Sequence, residues 1–190
     1  MIYTGLVLNR AGLDRALDAG LAHLSVSISA SETHSQRNTN RGVAEARRAI
    51  TPVIERALAA GVTVRAGIQS ALGCPFEGRI DPDHVAGIAH DFAALGVHEI
   101  NIADTAGLAN PRQVHALCRR IAAEVGPDVA LSLHLHDTRG LGIANMIAGI
   151  QAGVRIFDAA MGGSVAAPSR PTPPATSRPR TRPLPAARSA

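Results

Sequence analysis

The sequence predicts an α/β fold, and within that class an incomplete (β/α)8 barrel carrying about six of the eight strands. Three observations predict it. Short β-branched runs alternate with longer alanine-rich stretches of helical period from Tyr3 to Gly163, the pattern of βα units around a parallel sheet. Most of the helical stretches stop at a glycine just before the next strand, as a left-handed C-cap requires. The chain has 190 residues, where a whole barrel takes about 250.

The strand candidates, in order, are Tyr3–Leu8, His23–Ser29, Val62–Gln69, Glu99–Ala103, Ala130–His136 and Arg155–Ala160. Each is a β-branched or alternating run of strand length. Between them the helical period appears over Ala11–Ala19, Val43–Ala60, Pro82–Leu95, Pro111–Val125 and Gly142–Ala152. Gly20, Gly61, Gly96, Gly126 and Gly153 close these helices. The segments that follow the strands are longer and polar: Ser29–Arg41, Ser70–Asp81, Asp104–Asn110 and Asp137–Gly140. Loops at strand C-termini build the active sites of such folds, so the chemistry belongs there. An open doubly wound sheet fits the alternation too; six strands of a TIM-type barrel with the first two absent is the simpler reading.

Residues 164–190 break the pattern, with seven prolines, five arginines, no acid and no apolar periodicity. Two regions follow: a partial barrel domain over 1–163 and a disordered tail over 164–190. The formal charge of +4 comes from that tail, because residues 1–163 hold 14 arginines against 15 acids, a net −1. A basic tail without aromatic residues lacks the stacking groups of a single-strand binder, so no nucleic-acid partner is expected. No apolar run approaches the roughly 20 residues of a membrane helix and the N-terminus lacks signal-peptide order, which reads as a soluble cytoplasmic protein with no membrane partner. The spacing of Cys74 and Cys118 suggests neither a disulfide framework nor a zinc site. There is no lysine between Met1 and Ala190. A Schiff-base route to carbon–carbon cleavage is therefore closed to these residues, and an electron sink has to be a metal.

The strongest chemical signal is Leu133-His134-Leu135-His136-Asp137-Thr138 at a strand end. Residues i and i+2 of a strand share a face, so His134 and His136 both project into the lumen and make half a metal site. A bare His-x-His is as readily a hydrogen-bonded core pair. Asp104, at the end of the preceding strand in Asn101-Ile102-Ala103-Asp104-Thr105-Ala106-Gly107, is expected on the same rim, as an acid/base or orienting carboxylate. Capping the following turn is its alternative use.

Ser29-Ala30-Ser31-Glu32-Thr33, Ala71-Leu72-Gly73-Cys74-Pro75-Phe76-Glu77-Gly78, Asp104-Thr105-Ala106-Gly107 and His134-Leu135-His136-Asp137-Thr138 resemble, in order and spacing, segments of 3-hydroxy-3-methylglutaryl-CoA lyases. The likeness runs over essentially all of 1–163. The His-x-His-Asp-Thr element is shared with isopropylmalate synthases, homocitrate synthases and metal-dependent aldolases; the Ala-Leu-Gly-Cys-Pro-Phe-Glu-Gly loop looks specific to the lyases. The resemblance implies that His134 and His136 are ligands of Mg2+ or Mn2+ and that Asp104 is an acid/base or substrate-orienting carboxylate. It implies metal-assisted retro-Claisen cleavage of an acyl-CoA substrate, 3-hydroxy-3-methylglutaryl-CoA, to acetyl-CoA and acetoacetate, and it is compatible with a homo-oligomer of the intact enzyme. A metal-dependent aldolase or acyl-CoA condensing enzyme of the same superfamily, or a noncatalytic remnant, is the alternative. The roles of Ser31, Glu32, Asn38, Cys74 and Glu77 stay unassigned.

The family's first strand carries an Arg-Asp-Gly-Leu-Gln-like motif, which would precede Met1. The tail reads as the family's next motif in another frame: a one-base shift from Ser164 to Thr181 permits Leu-Gly-Gly-Cys-Pro-Phe-Ala-Pro-Asp-Ala-Thr-Gly-Asn-Ile-Ala-Thr-Glu-Asp. On that reading a cysteine belongs where Ala167 stands and a metal-ligand asparagine where Thr176 stands. With only two of the implied ligands retained, negligible activity is expected of this chain.

Overall fold

The computed structural model describes residues 2–160; the expected tail and frame shift lie outside them. Six strands and six helices follow one another: β1 (Thr4–Leu6), α1 (Arg10–Asp18), β2 (His23–Ser29), α2 (Glu32–Thr39), α3 (Val43–Ala59), β3 (Thr63–Gln69), α4 (Pro82–Ala94), β4 (Glu99–Asp104), α5 (Pro111–Val125), β5 (Ala130–Leu135), α6 (Gly142–Gln151) and β6 (Ile156–Phe157). The strands form one sheet in sequence order, every neighbour parallel. This is the βα alternation read from the sequence, with helices as the crossovers that parallel pairing demands.

The pleat sorts residue types. Leu24, Val26 and Ile28 of β2, Val64, Ala66 and Ile68 of β3, and Ile100 and Ile102 of β4 are buried in the main core with the inward stripes of α3, α4 and α5. The alternate positions are Ser25, Ser27 and Ser29, then Arg65, Gly67 and Gln69, then Asn101 and Ala103, then His134. They line a cavity of about 470 Å³. A period-2 alternation of apolar and polar residues thus separates the helix-facing core from the lumen.

Helix ends obey local chemistry. Asn110 caps α5 in a full capping box with Gln113. Asn9 and Asp81 cap α1 and α4 with their side chains. The five helix-ending glycines all have positive φ, 74° at Gly61 for example. Gly107 is a close-approach glycine: a Cβ there would stand 2.5 Å from Thr138 Oγ1, so the turn after β4 lies tightly against the turn after β5.

Two expectations change. Ser29–Arg41 was expected to be a loop, but its middle is the helix α2. Eight polar residues carry no apolar stripe, so periodicity is silent; capping makes the helix instead. Ser31 Oγ accepts the His34 N–H, and Asn40 ends the helix in the left-handed region at φ 55°. The last strand is Ile156–Phe157 rather than Arg155–Ala160, since ladder pairing to β5 is made only at Ser132↔Ile156 and Leu133↔Phe157.

Candidate active site

The histidine pair sits at the C-terminal end of β5, on the lumen face. His134 Nε2 lies 3.1 Å from His136 Nε2, while His134 Nδ1 is 2.8 Å from Asp158 Oδ2. Register explains the second contact: Leu133 pairs with Phe157, so His134 stands level with Asp158, one residue past β6. Asp158 Oδ2 also accepts from Arg65 Nη2 at 2.5 Å, and Arg65 Nε lies 3.1 Å from Glu99 Oε1 on the neighbouring strand. A chain of alternating charge therefore crosses the lumen from β4 through β3 to β6 and ends on His134. Burial pushes the Asp158 carboxyl up, but hydrogen bonds from His134 and Arg65, with their charges, outweigh it and hold it down at about 2.

With the Nδ1–H tautomer, His134 donates to that ionised carboxylate and its Nε2 is the acceptor facing His136 Nε2. Two nitrogens bound cis at an octahedral cation about 2.1 Å away lie about 3.0 Å apart, and the observed 3.1 Å matches. The pair therefore fits two sites of such an ion. Among the described residues no group of three or more His, Cys, Asp and Glu side chains is gathered to hold one.

Asp104 is placed elsewhere. It pairs with Leu135, on the pleat face opposite His134, and does not line the cavity. Its fully buried carboxylate accepts the Leu108 N–H at 2.9 Å and the Ala109 N–H at 3.2 Å, organising the turn after β4. Burial raises its pKa, an effect that those two N–H groups oppose. Asp104 is one step out of phase with the lumen positions, yet the charges of His136 and Arg139 reach its carboxylate and lower its pKa. Its neighbour Thr105 faces the lumen and accepts the Ser70 N–H at 2.8 Å, holding Ser70 at a positive φ of 54°.

The unassigned loop residues form a buttress. Ser31 Oγ donates to Cys74 Sγ at 3.0 Å, Glu77 Oε1 accepts the Thr33 N–H at 2.5 Å, and Glu32 Oε2 accepts the Val43 N–H at 2.9 Å. Asn38 Nδ2 reaches Gln69 Oε1 at 3.4 Å. Together the Cys74–Gly78 turn and Ser31 fix α2 over the cavity, so that His34, Ser35, Asn38 and Thr39 line it.

Sequence reading missed Arg65, Asp158, His34 and Ser35. Period 2 places Arg65 with Gly67 and Gln69 on one face, and places Asp158 at a strand end. A lone charged residue announces nothing until the register shows its partner.

A lumen-facing histidine pair on a parallel βα sheet defines a barrel-type site at the strand C-termini. The HMGL-like family model matches residues 1–166, and the chain belongs to that family. It is 41% identical over 169 residues to the (R)-citramalyl-CoA lyase of Chloroflexus aurantiacus, covering 89% of this chain and 53% of that protein. It is 38% identical to the hydroxymethylglutaryl-CoA lyase of Pseudomonas mevalonii, covering 89% and 56%. Among solved structures, the HMG-CoA lyase from Brucella melitensis superposes with a TM-score of 0.84 at 34% identity, over 90% of this chain and 60% of that one. An HMG-CoA lyase from Acinetobacter baumannii in complex with coenzyme A and 3-methylmalate gives 0.84 at 36%, over 90% and 55%. The chain spans about half the length of the curated relatives it matches.

Proposed function

We propose that this chain carries the central part of a carbon–carbon lyase site for a tertiary β-hydroxyacyl-CoA, with 3-hydroxy-3-methylglutaryl-CoA as its substrate. The observation that carries the proposal is the His134–His136 pair, its nitrogens converging in a cavity that serine, asparagine and glutamine side chains line among apolar ones. We assign a Mg2+ or Mn2+ ion to the pair; when bound, it supplies Lewis acidity that makes a tertiary hydroxyl acidic near neutral pH. Its remaining ligands come from substrate, water or residues beyond 2–160.

The chain's own residues do the rest. Asp158 holds the tautomer and ring plane of His134, and Arg65 holds Asp158. In retro-Claisen cleavage the hydroxyl gives its proton to a base and becomes a ketone, the bond from its carbon to the α-carbon breaks, and the electron pair stays on that α-carbon as the thioester enolate, which takes up a proton to give acetyl-CoA. Serine, asparagine and glutamine side chains on the lumen face of β2–β4 offer hydrogen bonds to the acyl oxygens, and 470 Å³ is room for the acyl group. Asp104, although outside the cavity, shapes the turn that presents Thr105.

A second reading has its own support. The 41% relative acts on (R)-citramalyl-CoA, which differs in carrying its carboxylate directly on the tertiary carbon and would release pyruvate rather than acetoacetate. Incubating the full chain with each thioester and Mg2+, while measuring binding by calorimetry and release of acetyl-CoA, separates the two. Saturable binding of one of them, abolished in His134→Ala, is expected, with little turnover. A wild-type chain that binds neither thioester sinks the lyase reading.

A further inference from the structure

Across the lumen from the charged chain, α2 presents two consecutive residues of a different character. His34 is 3% exposed and Ser35 1% exposed, and both line the cavity. His34 Nδ1 and Ser35 Oγ are sealed from solvent, and neither has a hydrogen-bond partner. Buried polar groups are nearly always satisfied, so two adjacent orphans against one cavity need an account.

Their elements explain why they stay there. Ser31 and Glu77 clamp the first turn of α2 through the His34 and Thr33 N–H groups, which fixes the direction of both side chains. The main chain is thus fully engaged while the side chains above it are not. Packing alone would be served better by leucine and alanine, whose burial leaves nothing unsatisfied.

We infer that His34 and Ser35 form a hydrogen-bonding subsite that takes an acceptor oxygen of the acyl group, opposite the His134–His136 pair. This deepens the lyase reading and rests on it. A neutral imidazole and a hydroxyl can each donate one hydrogen bond to an acceptor oxygen. Burial lowers the His34 pKa against the raising effect of the nearby Glu77 charge, which agrees with a neutral ring. Arg65 is committed to Asp158 and Glu99, so the cation in the cavity is not competing for that oxygen. A substrate carboxylate and a thioester carbonyl share this acceptor chemistry, and two probes tell them apart: citramalate has carboxylates and no thioester, whereas acetyl-CoA has the thioester and no carboxylate.

The experiment is a titration of the 15N-labelled full chain with each probe in Mg2+ buffer, following the imidazole nitrogens by long-range correlation spectra, with His34 assigned from the spectrum of His34→Gln. One probe is expected to shift the His34 nitrogens. That probe should bind about tenfold more weakly to His34→Gln and a few-fold more weakly to Ser35→Ala, the loss of one hydrogen bond apiece. A carboxylate ligand makes the responding probe citramalate, and a thioester ligand makes it acetyl-CoA. A probe that shifts His134 and His136, leaves His34 unmoved and binds His34→Gln with unchanged affinity overturns the subsite while sparing the lyase reading. No shift anywhere with either probe overturns both. If His34→Gln fails to fold, the His34 nitrogens are assigned by elimination from single variants of the other histidines, and the wild-type spectrum then decides between these outcomes.

Discussion

The two walls of the cavity solve opposite problems. On the β3–β6 side the charges are paired: Glu99, Arg65, Asp158 and His134 follow one another within ion-pair distance, although Arg65 Nε and Glu99 Oε1 face each other at 3.1 Å without hydrogen-bond geometry. On the α2 side, His34 and Ser35 keep buried polar atoms without one. The first wall is preorganised, holding the His134 ring between the Asp158 carboxylate and a second imidazole before any ligand arrives. The second stores unsatisfied donors that a ligand completes. Stability and recognition are therefore separated in space, and each wall can be tested by how substitution moves the two quantities.

The largest effect is expected at Arg65. Arg65→Met leaves Asp158 and Glu99 without their shared cation in a half-buried setting, and should cost about 3 kcal/mol in chemical denaturation; a loss below about 1 kcal/mol would show that the charged chain holds little together. Next comes Asp158→Asn, which keeps the shape but removes the ionised acceptor of His134. Mn2+ affinity, read by calorimetry, should fall about 10- to 100-fold, and an unchanged affinity would break the link between the carboxylate and the histidine pair. On the opposite wall the sign reverses. Ser35→Ala removes a buried hydroxyl that has no partner, and is expected to leave the ligand-free chain as stable or about 1 kcal/mol more stable; clear destabilisation would mean that Ser35 is a packing residue.

The smallest effect concerns the support of α2. Burial pushes the Glu77 carboxyl up, but the Thr33 N–H and hydroxyl, together with Ser31 and Glu32, bring it below the ordinary value of 4.5. A folded-state value below the unfolded one means stability that is complete above pH 4.5 and is lost as the pH falls through the lowered value. Thermal melts of wild type and Glu77→Gln should therefore converge as the pH drops below 4.5, and parallel curves would remove Glu77 from the buttress.

How far the sequence carried the structure varies by feature. Strand order and helix positions were legible because apolar periodicity reports directly on burial. The start and end of β2, and of α5, agree to the residue. The helix α2 was not legible, because a polar helix over a cavity has no apolar stripe; Ser31 as a start signal and Asn40 as a stop signal were its only trace. The histidine pair could be placed on the lumen face by counting in twos. The same count, carried one strand back, puts Asp104 in phase with Ile100 and Ile102 rather than with Asn101. Arg65 and Asp158 lie 93 residues apart, so their pairing depends on a register that no local pattern contains.

β6 has only two ladder residues, yet Asp158 just beyond it is gripped by one oxygen between a guanidinium of β3 and an imidazole of β5. The carboxylate is thus also a clasp: it fastens the outermost strand to the sheet by the same bonds that orient the site. Local opening of that edge and loss of the His134 geometry become one event. Slowed hydrogen exchange at the Asp158 amide, which donates to the Leu133 carbonyl, would then report on ligand occupancy at the histidines, without any contact between the amide and the ligand.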